Sequence, residues 1–303
     1  MTTEHAEHQG HSHAHGPVNH DRAFAIGIAL NIIFVLVEAG YGFQANSLAL
    51  LADAGHNLSD VLGLLLAWGA AIAARQRPSQ RFTYGLRSST ILAALTNAML
   101  LLGACGAIAW EATQRFGNPA TVDGKTVLVV AAIGIAINGI TAWLFMRGSA
   151  DDLNIRGAFL HMAADAAVSL GVVIAGFVIL ATGWRWLDPA ISLIIVAVIF
   201  AGTWGLLRDA ANLALHAVPA GIDNAALESY LRGLPGVTDV HDLHIWGIST
   251  SETALTAHLV MPQGHPGDKF MTQAVEELEH RFEIHHATLQ IELGEDSHEC
   301  ALV

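Results

Sequence analysis

Charged side chains are scarce in this chain, at 14% of 303 residues, where soluble globular proteins carry about a quarter. Scarce charge beside 53% hydrophobic residues points to a membrane protein. The chain has two cysteines, Cys105 and Cys300, which excludes a disulfide framework. It has no G-x-x-x-x-G-K-[ST] phosphate loop, which argues against nucleotide-driven work. It also has no His-Glu-x-x-His run, which argues against an intramembrane metalloprotease, and the chain is read as a non-enzyme. The first twenty residues lack the basic start, apolar core and small-residue cleavage site of a secretory signal. Basic residues are few, 14 Lys and Arg against 27 Asp and Glu. From Asp209 onward fifteen acids face three bases, Arg232, Lys269 and Arg281. The acidity therefore belongs to a polar C-terminal region, and nucleic acid is not expected as a partner.

Histidine is abundant but unevenly placed. Of 17, six precede residue 21 (His5, His8, His11, His13, His15, His20) and nine follow Asp209. Only His56 and His161 lie between, and each opens a His-x-x-x-Asp run: His56 with Asp60, His161 with Asp165. Both runs lie in long apolar segments, where ionisable side chains are expensive. A spacing of four puts imidazole and carboxylate on one helix face. Two such faces together offer two nitrogens and two carboxylate oxygens, a set that suits tetrahedral zinc. The N-terminal histidines are read as a weak metal collector or a solvated tail.

Six apolar segments reach the roughly 20 residues needed to cross hydrocarbon: 23–43, 48–74, 90–110, 122–146, 157–181 and 187–207. Arg22, Arg75, Arg77, Arg81, Arg87, Arg147, Arg156 and Arg208 fall on one side, and Arg115, Lys125 and Arg185 on the other. The positive-inside rule then places both termini in the cytoplasm. Spans 2 and 5 run in opposite directions, so the two His-x-x-x-Asp ladders are antiparallel, each the second span of its half. His161 falls on the cytoplasmic side of the depth of Asp60 unless helix 5 is shifted or tilted. Asp53, two turns from Asp60, is read as a hydrated carboxylate near the outer mouth. Glu38 and Asn138 are read as supporting or helix-packing groups. Trp110, Glu111 and Asp188 at span ends are read as ordinary interfacial residues.

Beyond Arg208 the pattern turns soluble: a helix over 224–232, strands over 237–248 and 252–261, a helix over 269–282 and a strand over 287–293. That order predicts a small α+β domain, ferredoxin-like in sequence of elements. The expected fold is an α-helical membrane protein: a His-rich tail at 1–22, six transmembrane helices within 23–208, and a cytoplasmic domain at 209–303.

Two intramembrane His-x-x-x-Asp motifs, in the second and fifth of six spans ahead of such a domain, resemble the cation diffusion facilitator family, more narrowly its zinc-transporting branch. Further similar stretches are Ser47-Leu48-Ala49-Leu50-Leu51-Ala52-Asp53-Ala54-Gly55-His56, Phe82-Thr83-Tyr84-Gly85 and Val240-His241-Asp242-Leu243-His244-Ile245-Trp246. The resemblance runs from about residue 23 to residue 293. It implies a homodimer that exports Zn²⁺ from the cytoplasm in exchange for H⁺, and the absence of a targeting segment together with the compact build fits a bacterial inner membrane. It further implies that His56, Asp60, His161 and Asp165 hold the transported ion. In the cytoplasmic domain it implies dimerisation and a regulatory or structural Zn²⁺ at His241, His258 and His285 with Glu292. His286 competes with His285, which strand parity and the spacing to Glu292 favour, and His244 is read as a structural partner beside Trp246. The loop 75–81 holds no His, Asp or Glu, so the third site of some relatives is not expected there. The loop 147–156 lacks the histidines that many animal relatives carry, and His298 or Cys300 near the C-terminus can add a ligand.

Metal binding requires neutral imidazole and ionised carboxylate, so one site can alternate between Zn²⁺ and H⁺. Nitrogen and oxygen ligands in tetrahedral array disfavour Mg²⁺ and Ca²⁺, favour Zn²⁺ and tolerate Co²⁺, with Cd²⁺ poorer. A membrane-anchored metal sensor is the competing function, and it predicts that changing Asp60 or Asp165 leaves metal response intact.

Overall fold

Long apolar runs must satisfy their backbone groups internally once water is excluded, and here they do so as helices. The computed structural model describes residues 21–294 apart from residue 119 and residues 147–152. The readings placed on the N-terminal histidines, His298 and Cys300 lie outside the described residues. Six long helices come first: α1 (Asp21–Ala45), α2 (Leu48–Ala74), α3 (Ser89–Gly117), α4 (Gly124–Met146), α5 (Leu153–Thr182) and α6 (Leu187–Ala214). Five of them, α2 to α6, hold stretches long and apolar enough to cross a membrane, and the described apolar part of α1 is the shorter Ile32–Ala45.

Three boundaries differ from the sequence reading. α3 and α6 run about two turns past their predicted ends, because apolarity marks only the part that faces lipid. Beyond it α3 continues on a Glu111–Arg115 pair at 3.1 Å, an i,i+4 contact that supports a helix. α5 begins at Leu153 rather than at 157, so His161 lies two turns inside the helix.

α3 packs between α2 and α6, while α4 packs against α1 and α5. The buried centre uses small residues where backbones approach, Ala49, Ala52 and Ala131 among them, with Phe34, Leu50 and Val172 filling the remaining space. A Cβ on Gly176 would stand 3.0 Å from the Leu128 backbone nitrogen, so the close seam between α4 and α5 depends on that glycine. Large apolar side chains such as Phe43, Trp68 and Phe177 cover the outside of the bundle.

The end of the bundle far from the C-terminal domain is held by polar contacts. Asp188, at the start of α6, is 1% exposed. It accepts from Ser47 Oγ, from Leu48 N at 2.9 Å and from Ala49 N at 3.4 Å. Asp188 therefore caps α2, and its expected place as an ordinary interfacial residue is corrected. The first amides of α2 need an acceptor, and the carboxylate supplies one across the helix pair. Arg115 of α3 grips the adjoining turn through Asn46 O at 2.6 Å and Asn46 Oδ1 at 2.9 Å.

The C-terminal domain comprises α7 (Asn224–Arg232), β1 (Asp239–Gly247), β2 (Thr253–Val260), α8 (Asp268–Phe282) and β3 (Ile284–Glu292). Asp223 Oδ1 caps α7 by accepting from Ala226 N at 3.1 Å. The sheet order is β1-β2-β3, antiparallel between β1 and β2 and parallel between β2 and β3, with α8 as the crossover. This is the ferredoxin-like succession without its opening strand. Leu227, Leu231 and Leu278 of the helices pack on Val240, Leu255, Leu259 and Ile284 of the sheet. β3 starts three residues before its predicted position. Glu283 takes a left-handed φ of 57° and ends α8 at once, with no glycine to signal the stop.

Bundle and domain meet at the start of α3. Arg87 pairs with Glu252, Ser88 Oγ donates to Ile248 O at 3.2 Å, and Thr250 N donates to Thr90 Oγ1 at 3.1 Å. Tyr84 meets His286 edge to face at 5.6 Å.

Candidate functional site

His56 and Asp60 lie one turn apart on α2, and Asp165 faces them from α5. His56 Nε2 is 3.9 Å from Asp60 Oδ2 and 3.3 Å from Asp165 Oδ1. The Asp165 side chain is 3% exposed, against 21% for His56 and 31% for Asp60. Neither α2 nor residues 157–181 contain Lys or Arg. Two carboxylates around an imidazole, without a basic residue on either span, make an arrangement that accepts a cation. The backbone of His161 is helical one turn before Asp165, on the same face. Its side chain lies outside the described residues. The structure thus brings together three of the four predicted donors.

A polar layer adjoins these donors. Ser169, one turn beyond Asp165, donates to Asp53 Oδ2 at 3.0 Å, and Asn57 Nδ2 donates to Glu38 Oε2 at 3.3 Å. Asp53 and Glu38 are both 0% exposed. Asp53 is therefore not the hydrated carboxylate expected at an outer mouth. The pattern that put it on one face with Asp60 was right, but α1 and α5 cover that face. On the other side Ser59 Oγ donates to Asn97 Oδ1 at 3.4 Å.

The second cluster is built by strand register. His241 on β1 stands directly opposite His258 on β2, with ring centroids 5.1 Å apart. Val260, two residues beyond His258 on the same strand, pairs with Glu292 on β3. Side chains alternate with a period of two, so His241, His258 and Glu292 share one face. Their ligand atoms all lie within 4.8 Å of one another. His241 Nε2 is 2.9 Å from Glu292 Oε2, and His258 Nδ1 is 3.0 Å from Glu292 Oε1. The His258 Nδ1 contact lacks the angle of a hydrogen bond, and that buried nitrogen has no hydrogen-bond partner among the described residues. Two imidazoles and a carboxylate that converge this closely, with one imidazole nitrogen left without a hydrogen bond, fit a metal ion, so these three side chains would hold one. Partial burial opposes ionisation of Glu292, but hydrogen bonds from Gln290 and His241 and the two nearby imidazoles outweigh it. Its carboxyl is held below the usual carboxylate range.

His285 does not join this group. Seven residues of strand, at about 3.3 Å each, separate it from Glu292, and the odd spacing together with a register shift at His285 removes the strand parity that had favoured it. Its Nδ1 instead accepts from Thr253 N at 3.3 Å. Asp242 was missed as a contributor. Strict alternation would turn it away from His241, but a bulge after His241 and a left-handed φ of 50° re-aim it. Asp242 Oδ2 lies 3.4 Å from His258 Nε2, and Asp242 Oδ1 lies 2.9 Å from His244 Nε2. His244 beside Trp246 thus has a carboxylate neighbour. No sequence signal announces the bulge.

Comparison with known proteins follows the same division of the chain. Residues 24–213 match the model of the cation efflux transmembrane domain, and residues 219–293 match that of the cation efflux protein cytoplasmic domain. The zinc transporter ZitB of Escherichia coli is 36% identical over 299 residues, covering 95% of each chain. The metal cation efflux system protein CzcD of Cupriavidus metallidurans is 35% identical over 94% of this chain and 90% of its own. The cadmium, cobalt and zinc/H(+)-K(+) antiporter of Bacillus subtilis is 33% identical over 97% of this chain and 95% of its own. An apolar six-helix bundle with a partly buried His–Asp cluster, followed by a small α+β domain, thus matches both family models along nearly its whole length, and the chain belongs to the cation efflux family of membrane metal transporters.

Proposed function

We propose that the chain exports Zn²⁺ from the cytoplasm in exchange for H⁺, using a single site made by His56, Asp60, His161 and Asp165. The observation that carries this reading is the 3.3 Å approach of His56 Nε2 to Asp165 Oδ1, which joins α2 to α5 in the interior of the bundle. Imidazole and carboxylate bind zinc only after losing protons, so the two cargoes exclude each other on the same atoms. Protonation at the outer face releases the metal, and deprotonation at the inner face readies the site again. Alternate opening of the bundle to each side then lets an inward proton gradient drive zinc outward. Co²⁺ fits the same geometry and is a secondary cargo.

The proposal places both termini and the C-terminal domain in the cytoplasm and the bundle in the inner membrane, with the domain joining two copies as a homodimer. His241, His258 and Glu292, with Asp242 beside them, would hold a resident Zn²⁺ that stabilises or regulates this domain. The test is zinc flux in sealed vesicles under an imposed pH gradient, comparing the intact protein with Asp165→Ala. Gradient-driven flux that is lost in the variant supports exchange at this site. Equal flux in both proteins removes the site from transport, and no flux in either favours a membrane-anchored metal sensor.

A further inference from the structure

Asn138, on α4, is 0% exposed, and neither its amide oxygen nor its amide nitrogen has a hydrogen-bond partner among the described residues. A buried amide left this way is a standing penalty on the fold, which an apolar side chain of similar shape would avoid. Its height in the bundle follows from the packing of α4 on α5. A Cβ on Gly124 would stand 3.1 Å from Gly176 O, and one on Gly134 would stand 3.2 Å from Ser169 Oγ. The two helices therefore run antiparallel and close along this seam. One turn onward from Gly134 on α4 is Asn138, and one turn back from Ser169 on α5 is Asp165. Asn138 shares the stripe and the height of the carboxylate that meets His56.

The nearby polar groups on the far side of Ser169 hold one another through one carboxylate oxygen each: Asn57 donates to Glu38 Oε2, and Ser169 to Asp53 Oδ2. Phe34 of α1 closes the same stripe, since its ring would lie 2.6 Å from a Cβ on Gly134. When a cation binds, it takes the place of the His56–Asp165 contact, because both groups then point at the metal. The second oxygen of a ligating carboxylate needs a donor to fix its orientation. We propose that Asn138 is a positioning residue of the transport site, its amide nitrogen donating to Asp165 as that carboxylate turns from His56 to its cargo.

This inference rests on the transport-site reading above. The experiment measures Zn²⁺ flux against concentration in sealed vesicles for the intact chain and Asn138→Leu, with thermal unfolding in detergent alongside. A donor to a metal ligand changes affinity by about 10–100-fold. The expected result is a KM raised at least about tenfold, maximal flux largely kept, and an unfolding midpoint unchanged or raised. A KM within twofold of the intact chain overturns the inference, as does a raised KM accompanied by a lowered midpoint, which marks a packing role. If the leucine variant does not fold, Asn138→Ser is compared with Asn138→Ala. A lower KM for the serine variant supports the inference, and equal values overturn it. Asp165→Ala run in parallel separates the two readings. Flux that survives that change defeats the site itself. Flux lost there while Asn138→Leu keeps its KM defeats only the role of Asn138.

Discussion

Replacing Asp188 by Ala removes the acceptor for three donors at the far end of α2: Ser47 Oγ, Leu48 N and Ala49 N. Hydrogen bonds to a charged group contribute about 1.5–3 kcal/mol each. The three share one carboxylate and do not add independently. The change strands neutral donors rather than a charge, and three linked donors left without their shared acceptor cost about 3–5 kcal/mol together, less than three separate penalties of about 1–3 kcal/mol at their upper end. In addition Ser47 Oγ loses its anchor while it accepts from Leu50 N, which unsettles the first turn of the helix that carries His56. At about 2–4 °C per kcal/mol for a chain of this size, Asp188→Ala lowers the unfolding midpoint by roughly 10 °C. Ser47→Ala alone costs about 1 kcal/mol as a lost cap. The double variant should lose little beyond Asp188→Ala, because both changes dismantle one network. Thermal unfolding in detergent, followed by circular dichroism, measures all three. A midpoint for Asp188→Ala within 2 °C of the intact chain would refute the cap as an anchor of α2.

Glu292→Gln, which keeps shape and removes charge, should lower the Zn²⁺ bound per protomer by one, measured by titration of the full chain in detergent. In the metal-free protein the Glu292 carboxyl is held low, so its contribution to stability is present above the unfolded carboxylate value and fades as pH falls through the lower folded value. The loss of midpoint on acidification under chelator should therefore be smaller in Glu292→Gln than in the intact chain. Gly176→Leu forces a side chain against the Leu128 backbone nitrogen, 3.0 Å from the would-be Cβ. Overpacking of this kind costs about 1–3 kcal/mol, seen as a lower midpoint, and an unchanged midpoint would show that the seam can open. Arg87→Ala, by contrast, breaks an ion pair whose side chains are 41% and 32% exposed. Such pairs contribute about 0–1 kcal/mol, so the midpoint should stay within about 3 °C.

The sequence singled out the candidate donors of the proposed transport site because the bilayer makes polar residues conspicuous. Among apolar spans, His56, Asp60, His161 and Asp165 stand out by cost alone, and i,i+4 spacing fixes their shared face on each helix. Helix count and the succession of elements in the C-terminal domain were legible for a similar reason, since hydrophobic length and periodicity are local properties. Boundaries were less so. α3 and α6 outrun their apolar parts, and β3 begins directly after a left-handed Glu283 that no glycine marks.

What lay beyond the sequence is pairing across distance. Asp53 and Glu38 are sealed by other helices, and Asp188 caps a helix 140 residues away in sequence at Leu48. Nothing local distinguishes such a carboxylate from one that faces water. In the sheet, one bulge turned Asp242 toward His258, and strand length carried His285 away from Glu292. By itself the sequence determined which side chains are chemically able to bind a metal, because residue type and helical period are written in it. The tertiary structure decided which of them meet, because register, bulges and helix seams are set by packing between segments far apart in the chain.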